Sequence, residues 1–292
     1  MELRELRSFL AVVRTGSVTR AADELHITQP ALSRQIAGLE RDLGCSLLDR
    51  GRHGAIPTEE GLLLARRAEA LLELAGKTEE ELRASEGRLE GTVSICCGQT
   101  AALDELAHLA AAFTERHPHI RISLVVTTSE ASLRRLREGR ADLAVLLDPF
   151  EPADLDFLRL GTQEQWVAVM RQDDPLSGKE AITARDLTKG ALILPHRAGP
   201  QSVLASWFGR SFSRLEVAGT ANLNVAADAL VRAGIGRSLQ VAMKHTVDDL
   251  TRVPLDPPLV TGSCLVWLRG KPMSRAAAAF VDYARIRLAS DS

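Results

Sequence analysis

Apolar positions in the first 57 residues recur at helical spacing, in short blocks with tight breaks between them. Leu3, Leu6, Leu10 and Val13, with Phe9 beside them, predict an opening helix. Gly16 can end it and Ser17 can cap the next. Val18 to Leu25 reads as a second short helix with Ala21, Ala22 and Leu25 inward, and His26 and Ile27 form a brief turn. Thr28 suits the N-cap of a third helix, with Pro30 in the first turn where its missing N–H costs little. This helix runs to about Leu43, and Gly44 stops it. Leu32, Ile36, Leu39 and Leu43 fall within about 60° of one another at roughly 100° per residue, a core stripe. Gln29, Pro30, Ser33 and Arg34 form a separate polar group about 120° away by the same arithmetic.

Residues 58–89 carry one long helical pattern without proline. Leu64, Leu71, Thr78 and Ser85 interleave with Ala68, Ala75, Leu82 and Leu89 at alternating spacings of four and three, a coiled-coil-like seam. A helix packed on its own domain is the alternative. From Gly91 onward, strand-like runs alternate with amphipathic helices. Strands are expected at Gly91 to Cys97, Ile120 to Val126, Leu143 to Leu147, Ala191 to Leu194, Leu215 to Ala218 and Gly262 to Leu268. Helices are expected from Thr100 to Arg116 and from Ser129 to Glu138. Such alternation predicts an α/β unit of parallel sheets with covering helices.

Two short helices, a tight turn and a helix exposing Gln, Ser and Arg near its start fit a helix-turn-helix reader of DNA. Gln and Arg offer bidentate hydrogen bonds to base edges, and Ser can donate to a base or a phosphate. Arg50, Gly51, Arg52, His53 and Gly54 then make a cationic, glycine-bracketed loop suited to a wing. The local charge is only +1, from eight Arg against seven Asp and Glu in residues 1–57, and the whole chain is −2. Any nucleic-acid site is therefore local, and a protein-docking three-helix unit is the competing reading.

The stretch from Leu3 through Gly61 resembles the N-terminal domain of LysR-type transcriptional regulators. The residues that carry the resemblance are Ser17, Ala21-Ala22, Leu25, Thr28 to Ser33 (TQPALS), Ile36, Leu39-Glu40, Leu43-Gly44, Leu47, Arg50, Thr58 and Gly61. Leu48 and Pro57 depart from it, where Phe and an aliphatic residue are common; both concern packing near the wing. The resemblance implies a winged helix-turn-helix DNA-binding domain at 1–57 and a linker and dimerisation helix at 58–89. It further implies an α/β effector-binding domain of two subdomains at 91–292, like a type 2 periplasmic binding protein. One lobe is then expected at about 91–162 and 267–292, the other at about 163–266, with the ligand between them. It also implies promoter DNA and RNA polymerase as partners, and a homodimer through the linker helix extending to a homotetramer.

With 292 residues, about two domains are expected, and 45% hydrophobic with 25% charged residues is an ordinary globular balance. No apolar run reaches the roughly 20 residues of a membrane span. The start, MELRELRSFLAVVRTGS, does not read as a secretory signal, so the cytoplasm is the expected location. Cys96 and Cys97 are neighbours expected on opposite faces of a strand, while Cys45 and Cys264 are isolated. Small buried hydrophobes describe them best, with thiol sensing and metal binding as alternatives. The patterns GxSxG, GxxxxGK[ST] and HExxH are absent, and neither an enzyme nor a bound metal or cofactor is expected. A transport solute-binding protein would lack the first 90 residues' pattern.

Two strand-to-helix turns, Gly98-Gln99-Thr100 and Thr127-Thr128-Ser129, fall at the carboxyl edge of a parallel sheet, where ligands bind. Thr100 and Ser129 read either as helix caps or as ligand contacts, and the resemblance favours contact. The facing lobe offers His196 to Ser202 and Thr220 to Asn222; Arg197, Ser202 and Asn222 are the candidates there. Arg237 is either a ligand clamp or an interface residue. Helix N-termini, hydroxyls and Arg197 together lead to an expected small anion as effector, most simply an organic carboxylate.

Overall fold

A computed structural model of the chain describes residues 1–51, 54–83, 89–151, 153–196, 198–243 and 249–290. It comprises two compact units, Met1–Arg83 and Ala84–Ser292.

The first unit runs α1 (Leu3–Thr15), α2 (Val18–Glu24), α3 (Gln29–Leu43), β1 (Leu48–Gly51), β2 (Gly54–Pro57) and α4 (Glu59–Arg83). Gly16 ends α1 in the left-handed region at φ 64°, and the Ser17 hydroxyl accepts the Arg20 N–H to start α2. His26 adopts φ 54°, the left-handed step that reverses the chain between α2 and α3. Phe9, Ala22, Leu32, Ile36, Leu39 and Leu47 close one core. Leu43 does not join them: it is 41% exposed, because α3 runs past the core before Gly44 stops it. Leu3 is also exposed.

β1 and β2 form an antiparallel hairpin with Gly51 opposite Gly54. The Ala55 N–H donates to the Gly16 carbonyl (3.0 Å), so the hairpin returns against the end of α1. Gly54 has φ 106° there, and a Cβ would overlap the Gly16 oxygen. The Thr58 hydroxyl donates to the Ser46 carbonyl (2.8 Å) and accepts the Gly61 N–H (3.0 Å), capping α4. Ala65 and Ala68 are buried, with Ala65 in the same core. This corrects the expected boundary at residue 58, since the first turns of α4 belong to the head. It also corrects the seam, because Ala68 is already used inside its own unit.

The second unit contains two lobes. In the first, β3 (Gly91–Cys97), α5 (Ala102–Arg116), β4 (Ile120–Val126), α6 (Ser129–Arg137), β5 (Leu143–Leu147) and β6 (Leu155–Arg159) lead into the crossover. The second lobe follows with β7 (Glu164–Arg171), β8 (Ile182–Thr183), α7 (Ala184–Leu187), β9 (Leu192–Pro195), α8 (Ala198–Phe208) and a 3-10 turn at Gly209–Arg214. It continues through β10 (Val217–Ala221), α9 (Asn224–Arg232), β11 (Arg237–Val241), β12 (Leu250–Asp256) and β13 (Val260–Thr261). The chain then returns to the first lobe as β14 (Ser263–Leu268) and α10 (Arg275–Ser290).

The first sheet has the order β4-β3-β5-β14-β6, and the second β10-β9-β11-β7-β12-β8 with β13 paired to β7. β14 lies between β5 and β6, so the first lobe resumes at Ser263, not near 267. The sheets are mixed: β3, β4 and β5 are parallel, as are β9, β10 and β11, but the strands at the crossovers run antiparallel. Phe113 and Phe280 bring α5 and α10 onto one face of the first sheet, and Leu136 brings α6 onto the other. Leu204 and Phe208 of α8 and Ala227 and Val231 of α9 cover the two faces of the second.

Gly61 lies so close to the Leu47 carbonyl that a Cβ would overlap it. Gly61→Ala is expected to cost about 1–3 kcal/mol through overpacking, read as an earlier urea transition.

Candidate functional sites: a polar helix face and an interlobe cavity

In the first unit, Gln29, Pro30 and Arg34 are exposed at the start of α3, and Ser33 is half-buried beside them. The Gln29 amide donates to the Ser33 hydroxyl (2.9 Å), and Arg34 Nε to the Pro30 carbonyl (3.3 Å). The four residues thus share one surface, as their spacing predicts. Arg52 and His53 lie outside the described residues, as does the side chain of Arg50. Glu40, which sequence reasoning gave no role, accepts the N–H groups of Leu47 (2.8 Å) and Leu48 (3.3 Å). A carboxylate on α3 therefore fixes where the β1–β2 hairpin begins.

In the second unit, a cavity of about 90 Å³ opens between the lobes at the carboxyl ends of the parallel strands. The first lobe contributes the turns 98–100 and 127–129; the second contributes the end of β9, the turn before α9, and β11. Thr100, Ser129 and Asn222 line it, as expected. Ser202 does not: it is exposed and its hydroxyl donates to the Gly199 carbonyl one helical turn back (2.7 Å). Arg197 lies outside the described residues. Arg237 is no clamp, for it pairs with Asp174 (2.9 Å) and donates to the Lys189 carbonyl (2.8 Å), away from the lining.

The caps differ from expectation by a residue or two. Thr128, not Ser129, caps α6, its hydroxyl accepting the Ala131 N–H (3.3 Å). Thr100 is buried and precedes α5, whose N-cap is Ala101. The acceptor at that helix start comes from elsewhere. Glu164, fully buried at the start of β7, accepts the N–H groups of Ala101 (2.7 Å) and Ala102 (2.9 Å). The Thr100 and Ser263 hydroxyls face the same carboxylate without closing hydrogen bonds of normal geometry. In return, Glu105 of α5 accepts the crossover N–H groups of Gly161 and Thr162, both at 2.8 Å.

Sequence reasoning placed Gln99 in a turn at the ligand edge without giving it a role, and did not find Trp166 and Gln240 on the cavity wall. Gln99 Oε1 accepts the Val225 N–H (3.3 Å) at the start of α9, a hydrogen bond from one lobe to the other. Trp166 donates to Thr261 (3.3 Å) and presents an apolar floor with Leu147, Ile193 and Leu239. Cys97 and Cys96 pack into opposite cores of the first lobe. Burial pushes the thiols of Cys97 and Cys264 up to about 11, which disfavours the reactive thiolate.

Against known proteins, a family model described as "Bacterial regulatory helix-turn-helix protein, lysR family" matches residues 3–62. Another, "LysR substrate binding domain", matches residues 86–289. The RuBisCO operon transcriptional regulator of Allochromatium vinosum is 30% identical over 291 residues, covering 97% of this chain and 95% of that one. The crystal structure of CbnR, a LysR family transcriptional regulator, is 25% identical with a TM-score of 0.76 and covers 99% of both chains. Full-length CbnR complexed with its target DNA is 25% identical with a TM-score of 0.74, covering 98% of this chain and 99% of that one. No described helix is long and apolar enough to cross a membrane.

Burial raises the Glu164 carboxyl above its usual 4.5, opposed by the N–H groups of Ala102 and Ala101. The fold therefore holds this proton more tightly than the unfolded chain does. Its contribution to stability is greatest at low pH and falls as pH rises from about 4.5 through the raised value. Glu164→Gln removes this titration and leaves one backbone N–H facing an amide donor. Urea unfolding across that window is expected to show a deficit in the variant that shrinks as pH rises.

Proposed function

The chain belongs to the LysR family of transcriptional regulators, joining a helix-turn-helix DNA-binding unit to an effector-binding domain, and from that premise we propose how this chain performs the task. A promoter half-site is read by Gln29, Ser33 and Arg34 at the start of α3, with Pro30 against the groove wall. A small molecule occupies the cavity between the lobes and alters how they meet. The observation that carries this is the Gln99–Val225 hydrogen bond, which spans the lobes at the cavity wall. A ligand there must either keep or replace it, so occupancy and lobe geometry are linked.

The regulator acts as a homodimer through α4. Leu63, Leu71 and Leu74 are exposed. At about 100° per residue, Leu63 and Leu74 lie opposite Ala65 and Ala68, which face the head. Such an apolar stripe needs a partner, and a second copy of the same helix supplies one. Two joined heads then read paired half-sites. A tetramer through the effector domains, contact with RNA polymerase and a place in the cytoplasm beside the promoter complete the proposal.

A gel-shift assay with the upstream region of the protein's own gene tests DNA binding directly. Arg34→Ala is expected to lose about 1–3 kcal/mol at the operator and to relax base discrimination. Equal affinity and selectivity in the variant would remove α3 as the reader. Leu74→Asp puts an unpaired charge into the stripe at a cost of several kcal/mol, and sedimentation is expected to show a folded monomer.

A further inference from the structure

The polar face of α3 does not stop at Arg34. At about 100° per residue, Pro30, Arg34, Ala37 and Arg41 fall within about 60° of one another, on the side opposite Leu32, Ile36 and Leu39. Arg41 is exposed, as Pro30 and Arg34 are, while Ala37 and Gly38 are half-buried. A Cβ at Gly38 would meet nothing nearer than Arg41 Nη2, at 4.0 Å. The face between the two arginines therefore carries no more than a methyl group.

The two arginines adopt the same posture. Arg34 Nε donates to the Pro30 carbonyl (3.3 Å) and Arg41 Nε to the Ala37 carbonyl (3.2 Å). Both side chains are thereby laid back along the helix toward its start, about 10 Å apart at roughly 1.5 Å per residue. The acids flanking Arg41 are engaged elsewhere: Glu40 accepts the N–H groups of Leu47 (2.8 Å) and Leu48 (3.3 Å), and Asp42 accepts the Met1 ammonium (3.1 Å). Among the described residues, neither Arg34 nor Arg41 has a carboxylate partner. Two unneutralised guanidinium groups in one unobstructed row suit an extended anion.

We propose that Arg41 contacts a backbone phosphate of the bound duplex, at the border of the groove that the start of α3 enters. The contact presupposes that α3 is the reading helix. Arg41 stands about 16 Å along that helix from Pro30. The major groove is roughly 12 Å wide, so Arg41 meets the phosphates that border it and not the base edges within it. Such a contact adds affinity and fixes register without reading sequence. A cation in the last turn also offsets the carbonyl end of the helix dipole. A lysine serves that role equally, and it shows in stability, not in the salt dependence of DNA binding.

The test measures binding of the full chain to the upstream region of its own gene and to an unrelated duplex of equal length. Salt is varied from about 50 to about 200 mM for wild type, Arg41→Gln, Arg41→Lys and Arg34→Ala. Arg41→Gln is expected to weaken both duplexes alike. It is also expected to flatten the plot of log affinity against log salt by about 0.9 for each bound head, so that its deficit shrinks about threefold over that range. Arg41→Lys is expected to keep the wild-type slope. A wild-type slope in Arg41→Gln overturns the contact. So does an equal loss of slope in Arg41→Lys, which would place the effect in the fold of α3. A deficit confined to the upstream region would make Arg41 a base reader and overturns the phosphate assignment. Arg34→Ala separates this contact from the reading it depends on. Wild-type discrimination in that variant removes α3 as the reader, and Arg41 with it; relaxed discrimination beside an unchanged slope in Arg41→Gln removes Arg41 alone.

Discussion

Backbone N–H groups held by buried or half-buried carboxylates set the architecture of the C-terminal unit. Glu164 leaves the crossover to hold the start of α5, and Glu105 leaves α5 to hold the crossover, so helix and connecting strand exchange acceptors. Charge-assisted bonds of this kind are stronger than neutral ones and more costly to leave half-made. The segment from Gly161 to Glu164 is thereby fastened to the first lobe at both ends. The turn carrying Thr100 sits on the same clamp, which ties one wall of the cavity to the connection between lobes.

The DNA-reading unit uses the same device on a smaller scale. Glu40 holds the N–H groups that lead into the hairpin, while Thr58 and Ser46 close the other side. Glycines at 54 and 61 allow backbone to meet backbone where a side chain would intervene. The exposed residues of α3 are thus carried on a helix whose far end is bonded to the wing. The polar face of α3 and the hairpin are positioned by one set of contacts.

The sequence made the head legible because its breaks are local. Gly16, Ser17 and Gly44 act within a few residues of where they stand, and the helices follow; Thr28 holds the N-cap position of α3 without a side-chain capping bond. The ligand cavity was legible only as an edge. Its turns could be found from strand-to-helix transitions, but whether Thr128 or Ser129 caps α6 depends on a register that hydrophobic spacing does not fix. Glu164 was invisible for a different reason. It opens a strand 62 positions after Ala102, and nothing in the intervening sequence says that its carboxylate returns to that helix. Arg237 stayed open between clamp and interface residue because a cation near a ligand edge reads the same whether it faces a ligand or, as here, Asp174.

The return of the chain through β14 and α10 bears on how the protein is made. Phe280 and β14 complete the core and the sheet of the first lobe, yet they are synthesised only after the whole second lobe. Strands β3, β4 and β5 can pair with one another as they leave the ribosome, as can β9, β10 and β11, but the outer edge of β5 waits for β14 and the face of β3 for α10. Contacts of such sequence separation close slowly, because loop entropy is lost before they form. During that interval the face of β3 and β5 that α10 will cover stays unprotected. Until β14 and α10 are translated, the first lobe is the part of the nascent effector unit most exposed to aggregation.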